Sequence, residues 1–256
     1  MIIVAVEQVY FAYQTSSILQ DISFVIERGE RISVLGPNES GKSMLLKVIH
    51  GALKPQRGRV LLDGRDIRTL RRLELARLIA VVPQEHQVAF LFTVVEMVLM
   101  GRTPYLQGWP FESQCDRDIV EWALECTGTS DLAGKPFPHL SSGEKQCVIV
   151  ARAIAQRPKI LLLDEFTASL DVRHQLELVS HDFNLAVRHS DRLALLDRGV
   201  GVAMGKPVTV LTPEHIRRVF GVDGIIDVHP ITQQQHVMVG PLKQAWLEAR
   251  QDPSRT

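Results

Sequence analysis

RISVLGPNESGKSMLLKVIHG, residues 31–51, is the stretch on which the fold turns. An apolar strand-like run meets a glycine-bearing turn and passes directly into the helical pattern MLLKVIH. Residues 36–43, GPNESGKS, match GxxxxGK[ST] in the strand–loop–helix setting that gives the pattern its meaning. Gly36 and Gly41 let the loop through Pro37, Asn38, Glu39 and Ser40 curl, so that backbone N–H groups face inward and the helix start adds its positive end. A nucleotide phosphate is the ligand such a cradle takes. Lys42 is placed for the β- and γ-phosphates, and Ser43 offers its hydroxyl to Mg²⁺.

On either side of this loop, apolar runs alternate with helical periodicity. ARLIAVVPQ (76–84) and KILLLDE (159–165) read as buried strands, and the alternation predicts an α/β fold with a mostly parallel sheet. MIIVAVEQVYFAY at the start alternates like a strand and lacks the basic region and cleavage site of a leader. RGRVLLDGRDI (57–67) reads as a strand and turn at an antiparallel edge, giving an N-terminal antiparallel β subdomain. From about 85 to 139 the pattern is mainly helical, a helical insertion within a single 256-residue domain. A small extension over about 206–256 begins with a helix at Pro213–Phe220, followed by two brief strands, IIDVH and HVMVG.

Composition narrows the function classes. Lys plus Arg and Asp plus Glu number 29 each, so no net field draws the chain to nucleic acid or to an anionic membrane. Cys115, Cys126 and Cys147 have no CxxC spacing and suggest neither a disulfide framework nor a zinc site. The longest apolar runs fall short of the roughly 20 residues that cross a bilayer.

KILLLDE ends in two carboxylates where a buried parallel strand would present them at its C-terminal edge. Asp164 there suits the Mg²⁺ shell, and Glu165 suits a water poised to attack the γ-phosphate. LSSGEKQ (140–146), followed by CVIVARAIAQRP, opens a helix at Ser141, Ser142 and Gly143, whose N–H groups and dipole favour a phosphate. A plain capping sequence has the same appearance.

With GPNESGKS and LLLDE around it, LSSGEKQ resembles the signature sequence of the ATP-binding cassette (ABC) proteins, and the resemblance runs along nearly the whole chain. It implies a P-loop NTPase core and ATP with Mg²⁺ as cofactors. It also implies a head-to-tail homodimer or paralogue pair in which Ser141–Gly143 serve the partner's ATP. Tyr13 stands where the family stacks an aromatic on adenine, the alternative being a core strand residue. Gln84 matches the glutamine that joins Mg²⁺ and water to the helical insertion, Asp171 the loop crossing the dimer interface, and His181 the histidine at the γ-phosphate.

FLFTVVEMVLMGRTPYL (90–106) and VLTPEHIRRVFGVDG (210–224) resemble ATPase subunits of importers for iron-siderophore complexes, heme and cobalamin. That implies a peripheral place on the cytoplasmic side of the membrane and integral permease subunits as partners. A groove after Gln84 would receive a permease helix, and a solute-binding protein would take part only indirectly. A soluble, non-transport ABC ATPase is the rival, but it would carry a coiled-coil insertion, a second cassette or a basic surface.

The chain departs from the family pattern at several points. Glu39 replaces a glycine and is expected to face solvent, since an inward carboxylate would repel phosphate. Phe166 and Cys147 replace a common proline and arginine. Only ten positions separate Asp171 from His181, too few for a full helix and a strand of usual length. Leu176, Val179, Phe183 and Val187 have helical spacing, which predicts one helix running through His181 and the loss of a strand from mid-sheet. LELVS supplying a shortened strand is the alternative. On the first reading the chain is a shortened variant that binds ATP but hydrolyses poorly.

Overall fold

The amino-terminal alternation of apolar residues produces a long hairpin. Strands β1 (Ile2–Tyr13) and β2 (Ser16–Glu27) pair antiparallel, and Val4, Val6 and Val9 on β1 are almost fully buried. The computed structural model describes residues 1–14, 16–84, 91–106, 112–164, 177–178, 183–228 and 235–240. β3 (Ile32–Leu35) leads into helix α1 (Lys42–Ile49). β4 (Arg57–Leu62) and β5 (Arg65–Asp66) then return to β1, completing an antiparallel sheet of order β2-β1-β4-β5. The edge read from RGRVLLDGRDI is therefore this β4–β5 pair.

The parallel pairings join strands from both halves of the chain. Helix α2 (Arg72–Leu78) delivers β6 (Ile79–Val82), which runs parallel to β7 (Ile160–Leu163). β7 is buried on every residue, as expected of a strand covered on both faces. β9 (Arg192–Asp197) lies parallel to β3 and antiparallel to β10 (Val200–Gly205). Between β6 and β7 the described chain is mainly helical. Helix α3 (Val94–Leu99) passes straight into a 3₁₀ turn, Met100–Tyr105, and α4 (Gln114–Cys126) and α5 (Ser142–Ala155) follow.

β8 (Glu177–Leu178) overturns the single-helix reading and falls within LELVS, the alternative of a shortened strand. It pairs parallel with β7 through Leu162–Glu177 and Leu163–Leu178 and lies against β3, so mid-sheet holds a strand of two residues. A single helix through the segment is not what forms. The next helix, α6, begins at Phe183 and ends at His189. Local periodicity gives way here because the free edge of β7 offers hydrogen-bonding partners that a helix in that slot would leave buried and unsatisfied. α7 (Pro207–Val210), α8 (Pro213–Phe220), β11 (Asp223–Val228) and β12 (Gln235–Gly240) end the described chain, with the short helix and two strands anticipated there.

Three apolar clusters hold these layers. One joins the antiparallel sheet to α1, another packs α3, α4 and α5 on β6 and β7, and the third lies between β9, α6 and α8. Each fully buried Leu, Ile or Val contributes about 1.5–3 kcal/mol relative to exposure.

Candidate active site

The loop after β3 is shaped by two close approaches. A Cβ at Gly36 would lie 2.2 Å from the carbonyl oxygen of Leu196 on β9, so only glycine fits where the loop leaves the sheet. Gly41 has φ of 101° and serves as the N-cap of α1, a conformation that disfavours any side chain. No side chain caps this helix and its first turn carries no acid, which keeps its positive end turned toward the loop. Residues Asn38 to Met44, with Ile18 from β2, surround a cavity of about 460 Å³.

Lys42 is 6% exposed. Its Nζ donates to the carbonyls of Gly36 and Pro37, both at 2.8 Å, and to Ser40 Oγ at 3.4 Å. The ammonium thus braces the loop from inside. Ser43, on the first turn of α1, donates to Asp164 Oδ1 at 3.3 Å. Asp164 sits one residue past β7, where its backbone N–H donates to the carbonyl of Val82 on β6. Two oxygen ligands suited to a hard cation therefore converge at the C-terminal edge of the sheet beside the phosphate cradle, and this donor set fits Mg²⁺. Gln84 lies two residues beyond β6 at the same edge.

Tyr13 ends β1 and is 50% exposed, with its ring edge-on to Phe11 at 5.0 Å. A residue packed in the core is thereby excluded. Glu39 is exposed as expected, but holds φ of 65°, a left-handed backbone that a glycine would take without strain.

Ser141, Ser142 and Gly143 are exposed at the start of α5. The capping reading of this stretch is realised, because Ser141 forms a capping box with Glu144. Ser141 Oγ accepts from the Glu144 N–H at 3.3 Å, while the Glu144 carboxylate takes the Ser141 N–H at 2.8 Å and its hydroxyl at 2.7 Å. The bond from the Ser141 hydroxyl, with that from its N–H, holds the Glu144 carboxyl below the usual range. Glu144 is the partner that S-x-x-E before an apolar run signals for such a box. A Cβ at Gly143 would meet nothing within 4 Å, so this helix start opens to the surface. Glu165, Asp171 and His181 lie outside the described residues.

Comparison with known proteins settles the kinship. A family model described as "ABC transporter" matches residues 19–168.

The chain belongs to the ABC transporter family.

This ABC protein is 41% identical over 244 residues to an uncharacterised ABC transporter ATP-binding protein of Methanocaldococcus jannaschii, an alignment covering 89% of the chain and 94% of the relative. Identity is again 41%, over 236 residues, to a hemin import ATP-binding protein of Gloeobacter violaceus, covering 83% and 85%. Among solved structures, a chain of an ABC transporter described as metal-chelate type superposes with a TM-score of 0.80 at 26% identity, covering 94% of this chain and 98% of that one. The protein is thus an ATPase of the ABC importer type with a P-loop NTPase fold. These relatives lend no support to a hydrolysis-impaired variant.

The ABC ATPase carries a second concavity on its helical part. Val95 and Leu99 of α3 and Val120 and Leu124 of α4 line a groove of about 540 Å³, rimmed by Glu96, Glu112, Glu121 and Glu125. α3 divides its apolar residues, with Val94, Met97 and Val98 in the core and Val95 partly exposed. Among the described residues, no helix is long and apolar enough to cross a membrane.

Proposed function

We propose that the chain is the nucleotide-hydrolysing subunit of an importer for a metal chelate of the iron-siderophore, heme or cobalamin class. It would work as a dimer at the cytoplasmic face of the membrane. The observation that carries this reading is the meeting of Ser43 and Asp164 at 3.3 Å beside the phosphate loop. Support for the solute class comes from the hemin import relative and the metal-chelate type neighbour.

In this reading the N–H groups of the loop and Lys42 hold the ATP phosphates. Lys42 exchanges its loop carbonyls for phosphate oxygens, a swap that replaces neutral acceptors by charged ones. Ser43, Asp164 and Gln84 would hold Mg²⁺, which neutralises charge on the phosphates when bound. Tyr13 offers a flat exposed ring for adenine. Glu165 orients the attacking water, His181 faces the γ-phosphate, and Asp171 lies at the dimer interface. Ser141–Gly143 face the nucleotide held by the partner, in keeping with their exposure. The α3–α4 groove receives a helix of the membrane permease, and no nucleic acid is involved.

The test is reconstitution with the cognate permease and binding protein in vesicles. ATP turnover should rise with one of ferric siderophore, heme or cobalamin as transported solute. Stimulation by none of the three, in a complex that assembles, would refute the solute class.

A further inference from the structure

We propose that Arg102 is a positioning residue for hydrolysis, clamping the C-terminal end of α5 so that its other end, Ser141–Gly143, is held in register for the partner's nucleotide. The proposal rests on that reading of Ser141–Gly143. Arg102 is 6% exposed, unusual for an arginine. Its Nε donates to Asp116 Oδ1 at 2.8 Å and its Nη1 to the carbonyl of Ala155 at 2.8 Å. Its guanidinium also stacks 4.0 Å from the centre of the Tyr105 ring.

Ala155 is the last residue of α5. A helix end leaves carbonyls without intrahelical partners and carries partial negative charge, so a buried guanidinium there satisfies both. The preceding residue fits the same contact, because a Cβ on Gly101 would come 2.1 Å from the carbonyl oxygen of Arg152, one turn earlier on α5. Backbone thus presses on backbone beside the charged clamp. Asp116 is itself fixed, since its second oxygen takes the Ser113 N–H and hydroxyl at the start of α4. Burial pushes the Asp116 carboxyl up, but the bonds from Ser113 and Arg102 outweigh it and leave it below the usual range, and so ionised.

The clamp also reaches the nucleotide-binding layers. Arg77 on α2 donates to the Pro104 carbonyl at 2.9 Å and stacks on Tyr105 at 5.1 Å. Gln156, just past Ala155, donates to the carbonyls of Ala76 and Ile79. Since α3 runs unbroken into the Met100–Tyr105 turn, the wall of the groove and the end of α5 meet at one buried arginine, and Gln156 ties that end of α5 to the start of β6. A hydrophobic pair would pack there but would leave the Ala155 carbonyl unbonded and α5 free to tilt.

The experiment compares kcat and KM for MgATP in the purified full chain. Removing Arg102 alone strands the Asp116 charge, so the test variant is the double substitution R102M/D116L, because well-packed apolar replacements of a buried pair are often tolerated. The expected result is a kcat lower by about tenfold or more, the scale of a small misplacement far from the chemistry. KM should stay within about twofold. R102K, which keeps the charge beside Asp116, should fall between the double variant and wild type, and carries the same test if the double variant does not fold. A merely structural role would lower the melting temperature and leave kcat per folded molecule unchanged, which would overturn the proposal. Ser142→Arg serves as the control. Wild-type turnover in S142R sinks the underlying reading of α5, whereas an inactive S142R beside a fully active R102M/D116L sinks the clamp alone.

Discussion

Ser43 and Asp164 are 121 positions apart in sequence, yet the serine hydroxyl lies 3.3 Å from the aspartate carboxylate. The contact joins the first turn of α1 to the end of β7 and brings phosphate cradle and cation ligands to one edge. Ser43→Ala should weaken ATP binding when Mg²⁺ is present and leave it nearly unchanged in EDTA. Titration calorimetry with and without the metal reads the difference, and equal losses in both would remove Ser43 from the metal's shell.

Lys42→Ala removes a charged donor from the phosphate site. A hydrogen bond to a charged group is worth about 1.5–3 kcal/mol, so ATP affinity should fall by roughly tenfold to a hundredfold. Fluorescent-nucleotide titration checks this, and unchanged affinity would contradict the assignment of the ligand.

Glu39→Gly tests the departure inside the loop. The left-handed backbone of Glu39, φ 65°, costs of order 1 kcal/mol, partly offset by the freedom a glycine adds to the unfolded chain. A net gain of under about 1 kcal/mol corresponds to roughly 2 °C in a chain of this size. Calorimetry should show that rise, and ATP affinity should improve most at low salt, where the lost carboxylate repels phosphate over the longest distance.

The pH dependence of stability has a defined sign. Burial lowers the pKa of His50 from its usual 6.5, so the unfolded chain takes up protons first as pH falls. That contribution is complete above about 6.5 and is lost below it. Depressed carboxyls follow, Asp191 through its bond from Arg31 and Asp116 as above. Their share is present above about pH 4 and is lost as pH drops through their lower folded values. Urea midpoints should therefore decline in two stages, and His50→Gln should shrink the first, the remainder coming from His189, whose pKa burial also lowers. A single stage in the wild type would contradict this.

Much of the fold can be read in the sequence because short motifs coincide with element ends. GPNESGKS marks the β3–α1 junction, LLLDE the end of β7, and RGRVLLDG the β4 edge, each with local chemistry that leaves few alternatives. β8 was legible only as the lesser of two readings, LELVS as a shortened strand. Leu176, Val179, Phe183 and Val187 keep helical spacing, and only the open slot between β3 and β7 selects a strand at Glu177–Leu178. Arg102 was equally hidden, since nothing around GRTPY marks an arginine as buried until α4 and α5 supply Asp116 and Ala155. The Ser141–Glu144 box is legible in the sequence as S-x-x-E before an apolar run.

The most direct test of the paired-subunit account is the mass of the protein in solution with MgATP. In Glu165→Gln, sedimentation should show a species of twice the 28.7 kDa chain when MgATP is saturating and a monomer without it. Adding Ser142→Arg to that variant should abolish the dimer while each chain still binds ATP. A Glu165→Gln protein that binds MgATP and stays monomeric, or a double variant that pairs as tightly as the single one, would contradict the account.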